Sequence, residues 1–565
     1  MITPIPARMC PMLRQLHSVD SLFLHLDSKH SQMDVTPMYF YDPSTAADGV
    51  VTPEQIEQHL NRSIATLPIL RSRLERPLLN LDNPYLVEDS YFDIRNHLHQ
   101  IEMPSGADWK TLCEVVAKFQ EHQLDLKRPP WEIMIVHGIN GIEQLPDNCI
   151  LMALKIHHVI VDGHTVMEMT ERLHDEGLSR RAHSGIKQEE GYQAPELLGK
   201  LTRILSNNLL GTIRMVKPLV KQGPKVGMKL IDHLLRDNTS PDGVVRTRFN
   251  QPISDKKVWD YASFDLAEFK SVSKALPNAT INHVVLATIA GALRSYLQSK
   301  GEATDQVLRA IAPINVRKPQ QFDQGGNEIA LFFPDLPIQI ADPVERFKAV
   351  SVAATLARKI ADDIGAEDLS DMAKQLPPAY VTYLTKLGSF QTNAGALLNH
   401  AGHTIVTNVP GPSSTLHLAG AKLVQMTGIA ITSDHLGLLH AINSYAGRFN
   451  IAWTSTPEMM PDPEFYAECM RASFAELKQA LLPEQAAATE PADVSAEPIE
   501  AATEPAKPRA KRAAAPRKTA KSAAKTTKKA ASSRTRTTKP KETTGSSAAP
   551  SKRSSKSAKA TTQNS

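Results

Sequence analysis

The chain contains few cysteines and no pattern that would hold a metal. Of its 565 residues only four are cysteines, Cys10, Cys113, Cys149 and Cys469. They are scattered, with neither a Cys-x-x-Cys pair nor the spacing of a zinc site. We therefore predict reduced thiols in a cytosol or small buried apolar side chains, and no bound metal.

The sequence also lacks an apolar segment for secretion or for crossing a membrane. Residues 1–18 have no apolar core of the kind found in a secretion signal. No run reaches the roughly 18 uninterrupted apolar residues that a membrane helix needs. We expect a cytoplasmic protein whose contact with a membrane or with lipid inclusions is peripheral. The roughly 480 residues that look foldable are enough for two domains with sizeable cores.

A third absence lies at the C-terminal end, where Lys507–Ser565 contains no aromatic or branched aliphatic residue. This segment holds 18 of the 64 lysines and arginines and one of the 60 acids, so its net charge is +17 and that of the remaining residues is −13. Such a composition cannot bury enough surface to fold. We predict a disordered tail over residues 484–565. The tail either binds a polyanion, such as DNA or anionic lipid, or lies as a solvating segment on the acidic body.

The most informative segment is His-His-Val-Ile-Val-Asp-Gly at residues 157–163. The residues before it, 149–156, are almost all apolar and predict a strand covered on both faces. Residues 164–173 place apolar side chains at helical spacing. The sequence therefore predicts a strand, a histidine-bearing loop and a helix as one unit.

This loop has the side chains needed to take a proton from a hydroxyl group. A neutral imidazole accepts a proton on one ring nitrogen while the other is held by a hydrogen bond. Neighbouring side chains of an extended segment point to opposite sides, so only one histidine faces a given cavity. We choose His158 as the base and His157 as its support. Asp162 either orients a histidine or anchors the loop to an arginine, and Gly163 allows a tight turn or close approach of a ligand.

The segment matches the HHxxxDG signature of a superfamily that includes chloramphenicol acetyltransferase-like enzymes, peptide-synthetase condensation domains and bacterial wax ester synthase/diacylglycerol acyltransferases. Further blocks resemble the last of these families, and they follow its order. They are Ser18–Phe23 (similar to SxxDxxF, with one residue instead of two between serine and aspartate), Leu124–Trp131 (LDxxxPxW), Pro313–Arg317 (PxxxR), Gly326-Asn327 (GN), Asn408–Pro412 (NVPGP), Ser444–Gly447 (SYxG) and Pro461-Asp462 (PD).

The resemblance implies an α/β fold of two chloramphenicol-acetyltransferase-like lobes, each a mixed sheet flanked by helices, with a tunnel between them. The alternation of strand-like and helical segments independently favours α/β over all-α. We predict an N-terminal lobe at 1–185 that carries the histidine loop, an amphipathic basic linker at 186–250 and a C-terminal lobe at 251–483, followed by the tail.

The implied function is transfer of a long-chain acyl group from acyl-CoA, a substrate rather than a cofactor, to diacylglycerol or a fatty alcohol without an acyl-enzyme. Asn282 and Asn408 are candidates for contacting the substrate or the oxyanion. Arg71, with Arg317 second, is a candidate partner of Asp162. Two alternatives stay open: a condensation-type acyltransferase acting on another alcohol or amine, and a non-catalytic protein that tethers lipid droplets or DNA.

The chain departs from the family pattern at one position. Where the family commonly has an Asn-Asp pair opening a helix, this chain has Asn282 followed by His283. If the acid only caps the helix, the loss is mild because asparagine is itself a good N-cap. If the acid contacts substrate, the change affects selectivity.

The predicted linker contains a second candidate surface at residues 194–236, which mix apolar side chains at helical spacing with lysines and arginines. Pro218 and Pro224 divide this stretch into shorter pieces. A helix with one apolar and one basic face either covers the core of its own protein or lies on a membrane or lipid droplet.

Overall fold

A computed structural model describes residues 12–77, 80–161, 163–176, 199, 201–210, 246–315, 329–364, 376–379, 402–412 and 414–483. Four sequence predictions fall outside these ranges. They are the roles of Asp162 and Arg317, most of the linker, and the tail at 484–565.

Strands and helices alternate along the described residues, as the apolar periodicities predict. The strands are β1 (Met12–Gln15), β2 (Asp34–Asp42), β3 (Ser72–Glu75), β4 (Tyr85–Glu88), β5 (Leu98–Glu102), β6 (Trp131–Ile139), β7 (Cys149–His157), β8 (Val258–Asp265), β9 (Leu308–Asn315), β10 (Ile329–Phe332), β11 (Asp335–Leu336), β12 (Thr404–Pro410), β13 (His417–Leu418), β14 (Ala421–Ile429), β15 (Leu439–Tyr445) and β16 (Arg448–Ser455). The main helices are α1 (Ser18–Leu26), α2 (Pro53–Ala65), α3 (Trp109–Glu121), α4 (Gly163–Leu173), α5 (Leu266–Lys274), α6 (Ile281–Ser299), α7 (Pro343–Ile364) and α8 (Pro463–Leu481).

The sheet that carries the histidine loop has six strands in the order β13-β14-β2-β7-β6-β5. Strand β7 is central and pairs antiparallel with both β2 and β6, whereas β5 and β6 are parallel. Every residue of β7 is buried. The nearly continuous apolar run therefore predicted a fully covered strand correctly.

Two strands of this sheet come from the far end of the chain. Strand β14 pairs antiparallel with β2, with Met426 opposite Tyr39. Two residues just after α4 bind the hairpin formed by β13 and β14. Asp175 Oδ2 accepts the Gly420 N–H at 2.8 Å, and Glu176 Oε1 lies 2.6 Å from His417 Nδ1. Strands β13 and β14, which belong to the predicted lobe 251–483, are thus part of the sheet of the predicted lobe 1–185. The domain boundaries themselves stay predictions.

The second large sheet has β10-β9-β12-β15-β16-β8 in order, with β11 paired to β9. It is mixed, because β12 runs parallel to β9 and β15 while β16 is antiparallel to β15 and β8. Its core includes residues of α6, α7 and α8. The predicted architecture of two mixed sheets with flanking helices is confirmed, and a tunnel between them stays a prediction.

Helix boundaries follow local capping chemistry. At the start of α2 the Thr52 hydroxyl accepts the Gln55 N–H while Gln55 Oε1 accepts the Thr52 N–H, which is a capping box. Asp462 precedes α8 and accepts the Tyr296 hydroxyl hydrogen at 2.7 Å, which ties the PD block to α6. Among the described residues, no helix is both long and apolar enough to cross a membrane.

Candidate active site

The two histidines lie at the end of β7, where separate segments hold each backbone amide. The His157 N–H donates to the Pro130 carbonyl at 3.0 Å, and Pro130 belongs to the LDxxxPxW block. The His158 N–H donates to the Met33 carbonyl at 2.7 Å. The loop is therefore fixed from both neighbouring strand ends.

His157 is buried and its acceptor nitrogen is occupied. Only 1% of the residue is exposed, and Nδ1 accepts the Val159 N–H at 3.0 Å. Burial lowers the pKa of His157 to about 3, and the charges of His158, Arg76 and Lys155 act in the same direction. The ring is therefore neutral at pH 7 with its proton on Nε2. This arrangement suits a support rather than a base.

His158 is half-buried and lies against the ring of Phe23. The two ring centroids are 4.3 Å apart, with an angle of 20° between the planes. Phe23 lies on α1 and is the last residue of the SxxDxxF block. The sequence showed the block but gave Phe23 no role, because stacking between a helix and a distant loop leaves no spacing signal.

A buried ion pair lies beneath the histidines, and the sequence analysis missed it. Lys155 Nζ is 3.6 Å from Asp34 Oδ2, and both side chains are almost fully buried. Lys155 also donates to the carbonyls of Phe119 and Gln120. Burial raises the pKa of Asp34 and lowers that of Lys155, and the attraction between the two charges opposes both shifts. The only available signal was one lysine within an apolar run.

The predicted partner of Asp162 has another contact. Arg71 lies 3.4 Å from Glu88 Oε1, with its guanidinium carbon 6.0 Å from the centre of the Phe92 ring. Gly163 is the first residue of α4, as the predicted turn into a helix requires. Since Asp162 and Arg317 lie outside the described residues, an ion pair with Arg71 or Arg317 stays a prediction.

Asn282 and Asn408 meet in the second lobe. The Asn408 side-chain amide donates a 2.7 Å hydrogen bond to Oδ1 of Asn282, and both residues are exposed. Asn282 is not the cap of α6. The cap is Thr280, whose hydroxyl accepts the His283 N–H at 3.3 Å. The helix is therefore capped by a residue other than Asn282, and the effect of having His283 where the family commonly has an acid stays an open question.

The NVPGP and SYxG blocks lie side by side at the C-terminal ends of β12 and β15, two central strands of the second sheet. In the parallel pairing of β12 and β15, Pro410 lies opposite Ser444. A Cβ on Gly411 would lie 1.9 Å from the Ser444 carbonyl oxygen, so glycine is required at 411. The Tyr445 hydroxyl accepts the Leu416 N–H at 3.0 Å. Asn282, on α6, contacts this end of the sheet through its hydrogen bond with Asn408.

Family models match most of the chain. A model described as the wax ester synthase/diacylglycerol acyltransferase catalytic domain matches residues 16–285, and the model of the C-terminal domain matches residues 325–478. Together the two matched ranges contain every strand of the two large sheets except β9.

Relatives and a solved structure agree with these matches. A protein of Mycobacterium tuberculosis named as a diacylglycerol O-acyltransferase is 27% identical over 463 residues, which are 80% of this chain and 87% of that protein. The O-acyltransferase WSD of Acinetobacter baylyi is 25% identical over 461 residues, 80% of this chain and 93% of the relative.

The solved structure is a wax ester synthase/diacylglycerol acyltransferase from Marinobacter aquaeolei. It has 21% sequence identity to this chain and a TM-score of 0.57, and the match covers 83% of this chain and 99% of that one. At this identity the likeness concerns the fold. With the family models and the ordered motifs, it confirms that the chain belongs to the wax ester synthase/diacylglycerol acyltransferase family, a family of acyl-CoA-dependent O-acyltransferases.

Proposed function

We propose that this protein transfers a long-chain acyl group from acyl-CoA to the hydroxyl of diacylglycerol or of a long-chain alcohol, with His158 as the general base. The difference between the two histidines carries this proposal. His157 is buried, neutral and committed through Nδ1 to Val159. His158 is half-buried beside Phe23 and is the member of the pair that an incoming hydroxyl can approach.

The reaction then needs one base and no covalent intermediate. His158 removes the hydroxyl proton as the oxygen attacks the thioester carbonyl, which forms a tetrahedral oxyanion. The oxyanion collapses, the carbon–sulfur bond breaks, and protonated His158 returns the proton to the departing thiolate. The products are an ester and free CoA. General-base assistance supplies roughly 10²–10⁴-fold, so holding the two substrates together and stabilising the oxyanion must supply the remainder.

The Asn282–Asn408 pair is our candidate for the oxyanion contact. The hydrogen bond between them uses Oδ1 of Asn282, so the Nδ2 group of that amide points away from Asn408. An amide donates without titrating, so it can stabilise developing negative charge over a wide pH range.

Residues 201–210, which form a helix within the predicted linker, support the predicted lipid contact. Their polar side chains face the protein. Asn207 Nδ2 donates to Asp82 at 2.9 Å, and Asn208 Nδ2 donates to the Leu81 carbonyl at 2.8 Å. A helix that covered its own core would place leucines there instead.

Three leucines lie on the side of this helix away from Asn207. Leu201, Leu205 and Leu209, spaced four residues apart, are 44%, 68% and 57% exposed. We propose that this leucine stripe contacts a membrane or lipid-droplet surface, where long-chain substrates are concentrated. The basic tail, outside the described residues, is proposed to bind anionic lipid or DNA by counterion release.

An assay of thiol release from palmitoyl-CoA tests the reaction. The protein is supplied with hexadecanol, a diacylglycerol, hexadecylamine or no acceptor, and the products are identified by mass. Ester formation with either hydroxyl acceptor supports the proposal and reveals the preferred one. Amide formation alone would support the condensation-type alternative. Absence of thiol release in all four reactions would support a non-catalytic tether.

A further inference from the structure

The C-terminal end of α1 brings two side chains, one helical turn apart, to the two histidines. Phe23 stacks on the His158 ring at 4.3 Å. Asp27, the C-cap residue of α1, donates its N–H to the Phe23 carbonyl at 3.0 Å and directs its carboxylate toward the histidine loop. One helix end therefore contacts the catalytic loop twice.

The Asp27 carboxylate is bonded to the backbone segment that holds His158. Asp27 Oδ1 accepts the Met33 N–H at 3.0 Å, and the Met33 carbonyl accepts the His158 N–H at 2.7 Å. Met33 is 4% exposed. Its peptide groups are thus bonded to Asp27 on one side and to His158 on the other.

The direct route from Asp27 to the histidines is weaker. Its Oδ1 lies 4.0 Å from His157 Nε2, which is beyond hydrogen-bond distance. His157 is neutral at pH 7 because burial lowers its pKa to about 3, so no ion pair forms there. The path through Met33 consists of two ordinary hydrogen bonds and is therefore the stronger connection.

We propose that Asp27 is a positioning residue for His158, acting through the main chain of Met33, with Phe23 holding the ring from its face. This inference rests on the proposed role of His158. A base displaced by as little as 1 Å can lose about 10²-fold in rate. Fixing the position of His158 through these contacts should therefore affect kcat rather than substrate binding.

Two variants of Asp27 separate the hydrogen bond from the negative charge. Asp27→Ala removes the acceptor for the Met33 N–H, whereas Asp27→Asn keeps an acceptor oxygen and removes the charge. We expect Asp27→Ala to lower kcat about tenfold, with the KM for palmitoyl-CoA and for hexadecanol within about twofold of wild type. Asp27→Asn should stay within about threefold of the wild-type kcat.

Asp42→Ala is the matched control. Asp42 Oδ1 accepts the Ser44 N–H, also at 3.0 Å, but it lies at the opposite end of β2 from Asp34. The Asp42→Ala variant should have a lower melting temperature than the wild type and an unchanged kcat. The proposal is overturned if Asp27→Ala retains the wild-type kcat, or if Asp27→Asn loses as much activity as Asp27→Ala.

A second readout does not depend on activity. With ¹³C-labelled histidine, the His158 ring signal is identified by its loss in His158→Gln, and the Phe23 ring shifts this signal because the two are stacked. Asp27→Ala should move it toward its position in Phe23→Leu, and Asp27→Asn should leave it in place. An unmoved signal in Asp27→Ala would contradict the proposal. Full acyl transfer by His158→Ala would instead refute the base assignment, so the two failures are distinguishable.

Discussion

The side-chain amide of Asn408 donates a 2.7 Å hydrogen bond to the side-chain carbonyl of Asn282, a residue 126 positions earlier in the chain. This contact joins the start of α6 to the C-terminal part of β12. It makes the two asparagines a single unit, and we expect them to behave as one in mutagenesis.

Asn282→Ala should lower kcat by about 10²-fold if this unit stabilises the oxyanion. Asn408→Ala should cost less, because it removes only the group that orients Asn282. The double variant should resemble Asn282→Ala rather than the product of the two losses. Steady-state kinetics of the four proteins tests this, and independent multiplicative effects would argue against a shared role.

His158→Ala should leave a folded protein whose acyl transfer falls by roughly 10²–10⁴-fold, because the proton acceptor is gone. Thiol release from palmitoyl-CoA measures the loss, and circular dichroism checks the fold. His137→Ala is a matched control, because His137 is a half-buried histidine of the same sheet and bonds to Gln100 Oε1 at 3.0 Å. It should keep its activity. Equal activity in both variants would refute the assignment.

Gly411→Ala should destabilise the protein by about 1–3 kcal/mol, because its Cβ would overlap the Ser444 carbonyl oxygen at 1.9 Å. Gly49→Ala is the comparison. Gly49 has φ +69° with no atom within 4 Å of an added Cβ, so only backbone strain of about 1 kcal/mol is expected. Urea unfolding compares the two variants. A smaller loss at 411 than at 49 would contradict the predicted close approach.

Acid should destabilise the fold through buried histidines. Burial lowers the pKa of His440 to about 3 and that of His174 to about 4. Folded His440 stays neutral, while the unfolded chain takes up a proton below about pH 6.5, so stability is lost as the pH falls from there toward 3. His440→Gln should flatten the fall of the urea midpoint between pH 7 and pH 5. An unchanged slope would show that His440 does not contribute.

Lipid binding should depend on the leucine stripe. Leu205→Glu with Leu209→Glu should weaken flotation with phospholipid vesicles by at least about tenfold, since each buried leucine contributes roughly 1.5–3 kcal/mol. The control is Val352→Glu with Leu356→Glu, which changes two side chains on α7 that are 70% and 55% exposed. It should not affect flotation. Similar losses in both double variants would indicate non-specific hydrophobic contact instead.

Much of the architecture could be predicted from apolar periodicity and motif order. The run before His157 predicted a buried central strand because β7 is covered on both faces. The spacing after Gly163 predicted α4 because one face of that helix packs on the sheet. Both signals come from residues that are close together along the chain, so they can be recognised in a single sequence.

Contacts between distant segments could not be predicted in the same way. The Lys155–Asp34 pair joins adjacent strands, and nothing in the run around Lys155 indicates which acid meets it. The pairing of β14 with β2 depends on a register between segments almost 400 residues apart. The stacking of Phe23 on His158 likewise follows from the tertiary arrangement rather than from either motif alone.

The pairing of β14 with β2 means that residues 1–185 do not contain every strand of the sheet that carries the histidine loop. A fragment ending near residue 185 would leave β2 as an open edge, with unsatisfied backbone groups available to another molecule. The sheet that carries the two histidines is consequently complete only when strands from early and late in the chain pair, so we expect loss of β14 to disturb the histidine loop as well.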